Sequence, residues 1–368
     1  MRITKTYKYR LKLTKVQEQK ISSWIGACRF VYNSALELKL HIYNTRKENI
    51  HKFGLMKQLK EVRAEYDWIK DVPSGTLQDV IERLDKTHKN FFRGAGFPKF
   101  AKKGRYNSIT VKSIKQIDSN KFQIPKIGVI RIFNDRQPEG ELKRATIKKE
   151  LNKFYISIVV SEQAPLMIPS DSQVGVDMGL VHFATLSNNE HIPNPKHYKE
   201  YEQMLRKENR SLARKKKGSK RREKQKLKLQ KLHRKIRDVR DDFLHKTSTS
   251  IIRRFGTIAV EDLRVKNMIK FGNLGKHISD AGWGKFLSQL EYKSVWYGNT
   301  FIKVNPQYTS QTCSECGEVN SKSRISQSKF VCVKCGHIAN SDVQASKIIL
   351  LRGLGKPIAR QREIVVCA

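Results

Sequence analysis

Four cysteines and three carboxylates carry the chemistry for which this sequence can be read. Two residues lie between Cys313 and Cys316 and between Cys332 and Cys335, and fifteen residues separate the pairs. This is the spacing of a four-thiolate zinc ribbon, in which sulfur ligands close a tetrahedral shell around one Zn²⁺. Gly317 and Gly336 each follow a pair, where a tight knuckle calls for positive φ. Four thiolates leave no open position for substrate, so the expected zinc is structural. His337 adjoins the second pair and reads as a surface histidine, since four cysteines make a further ligand unnecessary. Cys28 on an apolar helical stripe and Cys367 in the tail have no partner that suggests chemistry.

The carboxylates stand where apolar residues or turn residues are expected. Asp177 follows Val174-Gly175-Val176, Glu261 follows Ile258-Ala259-Val260, and Asp342 opens a run containing Ala345, Ile348, Ile349 and Leu350. A charge at the end of an apolar strand is costly unless it is solvated, paired or bound to metal. Three acids brought to one spot repel one another, and divalent cations relieve that repulsion. Mg²⁺ favours carboxylate oxygens, and two such ions about 3.5–4 Å apart can activate a water and stabilise the leaving oxygen in phosphodiester hydrolysis. The plain alternative is three unrelated acids: a turn Asp, a strand-end Glu and an Asp342 that caps its helix. Asp262 rivals Glu261, which is preferred because it comes first after the apolar strand.

The elements that must position these residues follow from periodicity. Residues 3–13 alternate as a strand, and Thr14 with Gln17 forms a capping-box signature. The helix that follows carries Ile21, Trp24, Cys28, Val31, Ala35 and Leu38 on one stripe. A second strong helix starts near Pro73-Ser74, uses Leu77, Ile81, Leu84 and Phe91, and ends at Gly94 and Gly96. Between about 107 and 161 the period becomes two, with "SITVKSI", "KFQIPKIGVIRIF" and "KFYISIVVS" as strands. We therefore expect a small β-barrel or sandwich that includes the first strand and is interrupted by a helical module. A Pro- and Ser-rich linker, "QAPLMIPSDSQ", precedes two short strands around Gly179. Long basic helices broken at Gly218-Ser219, a short buried strand "GTIAVEDL", a helix "WGKFLSQLEYKSVWYG" and a strand "TFIKVNPQYT" complete the pattern.

The bulk numbers limit the partners. The chain has 368 residues, which suits two or three domains. Its formal net charge is +40, a self-repulsion that a polyanion would neutralise, and nucleic acid is the default partner. No apolar run approaches a membrane-spanning length. Without an export signal, six cysteines point to a reducing cytosol and to metal rather than disulfides.

Taken together, "YKYRLKLTKVQEQ", "CRFVYNSALE", "VPSGTLQDVIERLDKTHKNFFRG", "GFPKFAKKGRYNS", "GVDMGL", "AVEDL", "WGKFLSQLEYKSVWYG", "YTSQTCSECG" and "CGHIANSDVQASKII" resemble, in order and over nearly the whole chain, the transposon-encoded TnpB proteins (OrfB family). The resemblance implies an RNA-guided DNA endonuclease related to type V CRISPR effectors. It implies a multidomain α+β protein: a split wedge β-barrel with an inserted helical recognition module, then an RNase H-like (RuvC) α/β domain with an inserted zinc ribbon. The expected boundaries are 1–13 and 101–165 for the wedge, 14–100 for the helical module, 170–307 for the first part of the RuvC-like domain, 308–338 for the ribbon and 339–368 for the last helix and tail. The family's Asp-Glu-Asp site falls on Asp177, Glu261 and Asp342, with two Mg²⁺ expected there and one Zn²⁺ on Cys313, Cys316, Cys332 and Cys335. The implied partners are a guide RNA from the transposon end and double-stranded target DNA, bound by a monomer in a prokaryotic, nucleoid-associated setting. A nuclease-inactive guided repressor and a DNA transposase are the competing functions, and the intact acids disfavour the first. Gln344 and Ser346 depart from the family pattern, which usually has Asn and Ala there.

Candidate nucleic-acid contacts spread over several segments. Tyr32, Asn33, Ser74 and Gln78 are candidates for reading a short target-adjacent motif, although Tyr32 could be core and Ser74 a helix cap. Residues 206–240 hold 18 Lys/Arg against 3 Asp/Glu, with Lys215, Lys216, Lys217, Arg221 and Arg222 as candidate phosphate contacts. The plain reading of that run is a solvated basic face. Tyr308 could stack on a base or simply pack.

Overall fold

The computed structural model describes residues 1–133, 136–164, 170–271 and 274–356. Cys367 and the centre of the Pro- and Ser-rich linker lie outside the described residues. The chain forms two compact units, Met1–Gln163 and Ala164–Ala368.

In the first unit, β1 (Arg2–Lys12) leads into α1 (Lys15–Arg46). The capping box is in place: Thr14 Oγ1 accepts from Gln17 N at 3.2 Å, and Gln17 Oε1 accepts from Thr14 N at 3.1 Å. Ile21, Trp24, Cys28, Val31 and Ala35 are buried along α1. Two shorter helices, α2 (Lys52–Glu65) and α3 (Asp67–Lys70), precede α4 (Ser74–Phe91). Pro73 occupies the N-cap of α4 and Ser74 is its first helical residue, so Ser74 is not the cap. Six strands follow: β2 (Ser108–Val111), β3 (Lys115–Asp118), β4 (Lys121–Ile124), β5 (Gly128–Phe133), β6 (Glu141–Glu150) and β7 (Lys153–Gln163).

With β1 these strands make one sheet in the order β2-β6-β7-β1-β5-β4-β3. The first strand pairs antiparallel with β7 from Arg2–Gln163 to Arg10–Tyr155, and with β5 at Leu11–Ile132. The stretch "KFQIPKIGVIRIF" is a hairpin rather than one strand. It turns at Lys126, whose φ of 64° is left-handed, and pairs β4 with β5. Charged β6 gives a weak sequence signal because only Ala145 and Ile147 are buried in it. A single apolar core joins Phe122, Ile130, Ile156 and Ile158 of the sheet to Trp24, Leu77 and Leu84 of the helices.

The second unit opens with β8 (Gln173–Met178), β9 (His182–Leu186) and β10 (His191–Pro193). The basic helices α5 (His197–Ala213) and α6 (Lys220–Arg254) follow, broken at Gly218 (φ 83°), with Ser219 Oγ accepting from Arg222 N as the cap of α6. Then come β11 (Thr257–Glu261), α7 (Val265–Phe271), α8 (Gly275–Ala281), α9 (Trp283–Tyr297), β12 (Thr300–Val304), the small hairpin β13 (Phe330–Val331) and β14 (Ile338–Ala339), and α10 (Ser341–Gly353). The main sheet runs β10-β9-β8-β11-β12, with β11 parallel to both β8 and β12. Among the described residues no helix is long and apolar enough to cross a membrane.

Helix α10 lies directly on β8. A Cβ on Gly175 would stand 1.9 Å from Ser346 O, so only glycine permits this approach. At the helix's other end, a Cβ on Gly353 would meet Ala259 of β11 at 2.7 Å. Overpacking of this kind costs about 1–3 kcal/mol. Gly175→Ala is therefore expected to lower stability by at least that amount in chemical denaturation and to displace α10. An unchanged denaturation midpoint would contradict the close packing.

Candidate active site

The parallel register of β8 and β11 sets Val176 beside Val260, which leaves the next residues, Asp177 and Glu261, on neighbouring strands at the same end of the sheet. Asp342 arrives from α10, one turn before the Ser346 carbonyl that rests on Gly175. The cap of α10 is Asn340, whose Oδ1 accepts from Asp342 N at 3.0 Å and Val343 N at 3.2 Å. Asp342 is therefore not the helix cap, and its carboxylate is not spent on the helix N-terminus. Asp262 is exposed beyond the strand end, while Glu261 is half-buried.

The electrostatics mark the cluster. Burial, joined by the charges of Glu261 and Asp342, pushes the Asp177 carboxyl well above the usual carboxylate range, against the lowering effect of Arg324. Burial also raises Glu261, opposed by a hydrogen bond from Thr309 and by the charges of Arg352 and Arg324. Arg324 Nη2 lies 3.4 Å from Asp342 Oδ1. A centre whose concentrated negative charge is only partly offset by Arg324 and Arg352 suits a divalent ion.

The cysteines are drawn tighter. Cys313 Sγ is 3.7 Å from Cys335 Sγ, and Cys316 Sγ is 3.6 Å from Cys332 Sγ. Among the described residues, these four form the one group of at least three ligating side chains within 4.8 Å of one another. The sulfurs of a tetrahedral Zn–S shell with bonds of about 2.3 Å sit roughly 3.8 Å apart, so the quartet fits and could bind a zinc ion. Gly317 and Gly336 take φ values of 76° and 70° after their pairs. His337 stands outside the quartet.

The ribbon and the acids are fastened together by residues that periodicity did not single out. Thr309 Oγ1, buried at the base of the ribbon, donates to Glu261 Oε1. Fully buried Gln344 donates from Nε2 to Thr312 O and accepts at Oε1 from Ser314 Oγ, both at 2.9 Å. Arg352 Nη1 donates to Asn305 O at 3.2 Å and Gln307 O at 2.6 Å. Arg324 reaches Asp342 from the loop between the cysteine pairs. The available signals were Thr309 inside "TSQTC" and the departure at Gln344. Arg324 carried none.

The proposed nucleic-acid contacts have unequal surroundings. Tyr32 packs partly buried against Tyr106, with ring centroids 6.1 Å apart. The Asn33 amide is committed to Ala101, accepting its N–H at 2.7 Å and donating to its carbonyl at 3.2 Å. Ser74 and Gln78 are exposed one turn apart on α4. Lys216, Lys217 and Arg221 are exposed, and Lys215 donates to Ser211. Arg222 donates to Leu212 O at 2.6 Å and Lys215 O at 2.9 Å, so it closes the end of α5. Tyr308 is 59% exposed with φ 58°.

Comparison with known proteins agrees with this architecture. The OrfB model, described as "Probable transposase", matches residues 157–272, and one described as "Cas12f1-like, TNB domain" matches 283–349. The chain is 35% identical over 374 residues to the Escherichia coli (strain K12) "Putative RNA-guided DNA endonuclease InsQ", covering 96% of this chain and 93% of that one. It is 31% identical to a "Putative RNA-guided DNA endonuclease" of Streptomyces pristinaespiralis, covering 98% and 93%. A solved Cas12f1–sgRNA–target DNA complex shares the fold, with TM-score 0.60 at 13% identity over 95% of this chain and 98% of that one. The class is that of transposon-encoded relatives of type V effectors, and the chain belongs to its TnpB (OrfB) family.

In metal-free protein the raised Asp177 carboxyl makes a testable mark. Its folded form holds a proton above the ordinary Asp value of about 3.9, where the unfolded chain has lost it. Stability therefore falls as pH rises from about 4 through the folded value. In EDTA, Asp177→Asn is expected to melt a few degrees higher than wild type at neutral pH, with the gap closing toward pH ~4. A gap that is absent, or unchanged across that range, would show the carboxylate to be unstrained.

Proposed function

We propose that the protein is an RNA-guided DNA endonuclease whose catalytic carboxylates are Asp177, Glu261 and Asp342. What supports this reading is that Asp177 and Glu261 end neighbouring strands, α10 rests on β8, and the charges of Glu261 and Asp342 act on Asp177, in a TnpB-family chain. The mixed sheet, with Asp177 on its central strand, supports an RNase H-like (RuvC) assignment for residues 170–307 with 339–368. Two Mg²⁺ ions held there would activate a water and stabilise the leaving oxygen of the phosphodiester.

The chain's own residues prepare that chemistry. Gly175 lets α10 approach closely enough to deliver Asp342. Thr309 fixes the orientation of Glu261. Arg324 offsets part of the negative charge through its contact with Asp342. In the ribbon at 308–338, Cys313, Cys316, Cys332 and Cys335 would hold one structural Zn²⁺, and Gln344 ties the ribbon to the helix that bears Asp342.

Residues 1–13 and 101–165 would form the wedge, and 14–100 the recognition module. Together they would hold guide RNA and read a short motif beside the target, while base pairing selects the sequence. Ser74 and Gln78 are the accessible candidates for motif reading, whereas Asn33 holds the Ala101 loop. A long structured RNA accounts for a charge of +40 spread over both units better than duplex DNA alone.

With guide RNA and Mg²⁺, Asp177→Ala is expected to abolish plasmid cleavage while leaving RNA co-purification intact. A variant that cuts as fast as wild type would remove Asp177 from the mechanism. Stripping zinc with a thiol-selective chelator is expected to reduce cleavage by at least an order of magnitude, with recovery on adding Zn²⁺. Full activity in protein shown by metal analysis to be zinc-free would contradict the bracing role.

A further inference from the structure

A second charged feature lies on α6 and α9, away from the elements that carry the acids. Lys293 is only 5% exposed. Its ammonium donates to His245 O at 2.9 Å, Ser248 Oγ at 2.7 Å and Thr249 Oγ1 at 2.7 Å. No carboxylate pairs with it among the described residues, and burial lowers its pKa to about 8. A buried cation without a counter-ion is costly.

Directly outside these hydrogen-bond acceptors is an open groove of about 550 Å³ lined by His245, Lys246, Thr249, Ser250, Arg253 and Arg254. Two of its cations are balanced: Lys246 pairs with Asp242 at 2.7 Å, and Arg254 pairs with Glu190 at 2.6 Å. Arg253 is exposed and has no carboxylate partner among the described residues. The groove and the lysine beneath it thus retain two uncompensated positive charges.

Thr249 joins the two. In a helix, a threonine hydroxyl commonly donates to the carbonyl one turn back, as Ser248 does to Leu244 O at 2.7 Å. The carbonyl in that position for Thr249 is His245 O, which receives Lys293. Thr249 Oγ1 also receives Lys293 and lines the groove, and no hydrogen bond donated by its hydroxyl is seen among the described residues. A hydroxyl that accepts from an ammonium is a stronger donor. Lys246 and Arg253 are two turns apart, or roughly 10 Å along the helix.

We propose that this groove binds a backbone phosphate of a nucleic-acid strand, held by the Arg253 guanidinium and the Thr249 hydroxyl, with Lys293 as the buried counter-charge. The proposal rests on the guided-nuclease reading for the identity of the polyanion. It adds a contact that acts through charge and hydrogen bonding, independent of sequence.

The test uses the full-length protein and two labelled probes of unrelated sequence, a short single-stranded RNA and a short DNA duplex. Affinity is measured by anisotropy over a salt series. Arg253→Ala is expected to weaken binding several-fold to at least one probe and to lower the log–log salt slope by about 0.7–0.9, the value of one phosphate contact. Thr249→Val is expected to weaken the same probe about five-fold with the slope unchanged, and Thr249→Ser to restore it. The probe that responds identifies the strand as RNA or DNA. Wild-type affinity and slope for both probes in the Arg253→Ala and Thr249→Val proteins, with melting temperatures preserved, would overturn the groove alone. Failure of wild type to bind either probe would overturn the groove and the guided-nuclease reading together.

Discussion

The candidate acid site of the second unit is constrained by like charges brought to one end of a sheet. Asp177 and Glu261 end adjacent parallel strands, and Asp342 is brought to them by a helix that rests on the bare backbone of Gly175. Burial first, and then the charges of Glu261 and Asp342, displaces the Asp177 carboxyl upward. Apolar packing must supply the offset. Val174, Val176, Ile258 and Val260 are fully buried in the sheet, and Ile348 and Ile349 are fully buried on α10. Local destabilisation maintained by a well-packed surround is the expected signature of a functional centre.

The cysteine ribbon bears on the same constraint. It is bonded to Glu261 through Thr309, to α10 through the contacts of Thr312 with Gln344 and Arg352, and to Asp342 through Arg324. The ribbon and acid centre therefore share a hydrogen-bond network, although the thiolates and carboxylates bind different ions in the proposed mechanism. That explains the closeness of Cys335 and Asp342 in sequence: the second knuckle ends where the helix carrying the third acid begins. Gln344 reaches both Thr312 and Ser314.

Legibility in the sequence followed the range of the forces involved. The capping box at Thr14 and Gln17, the break at Gly218 and the cysteine knuckles are local, and their residue types state their geometry. The strand-end acids were visible because charge interrupts an apolar run. Harder cases depended on contacts distant in sequence. Charged β6 is a strand because β7 and β2 pair with it, and Arg222 looks like one more basic residue until its bonds to Leu212 and Lys215 are seen. Arg324 sits in a loop without periodicity, and its approach to Asp342 arises only when the ribbon folds. Asp342 itself could be read as a helix cap until Asn340 was found in that position.

The central claim is that three carboxylates form a divalent-cation centre separate from the cysteine site. Anomalous diffraction from crystals soaked in Mn²⁺, with data collected on both sides of the manganese edge, examines it directly. The account predicts manganese density bridging the oxygens of Asp177, Glu261 and Asp342, and none at the cysteine quartet. Manganese density absent from the carboxylates in well-ordered crystals would contradict it.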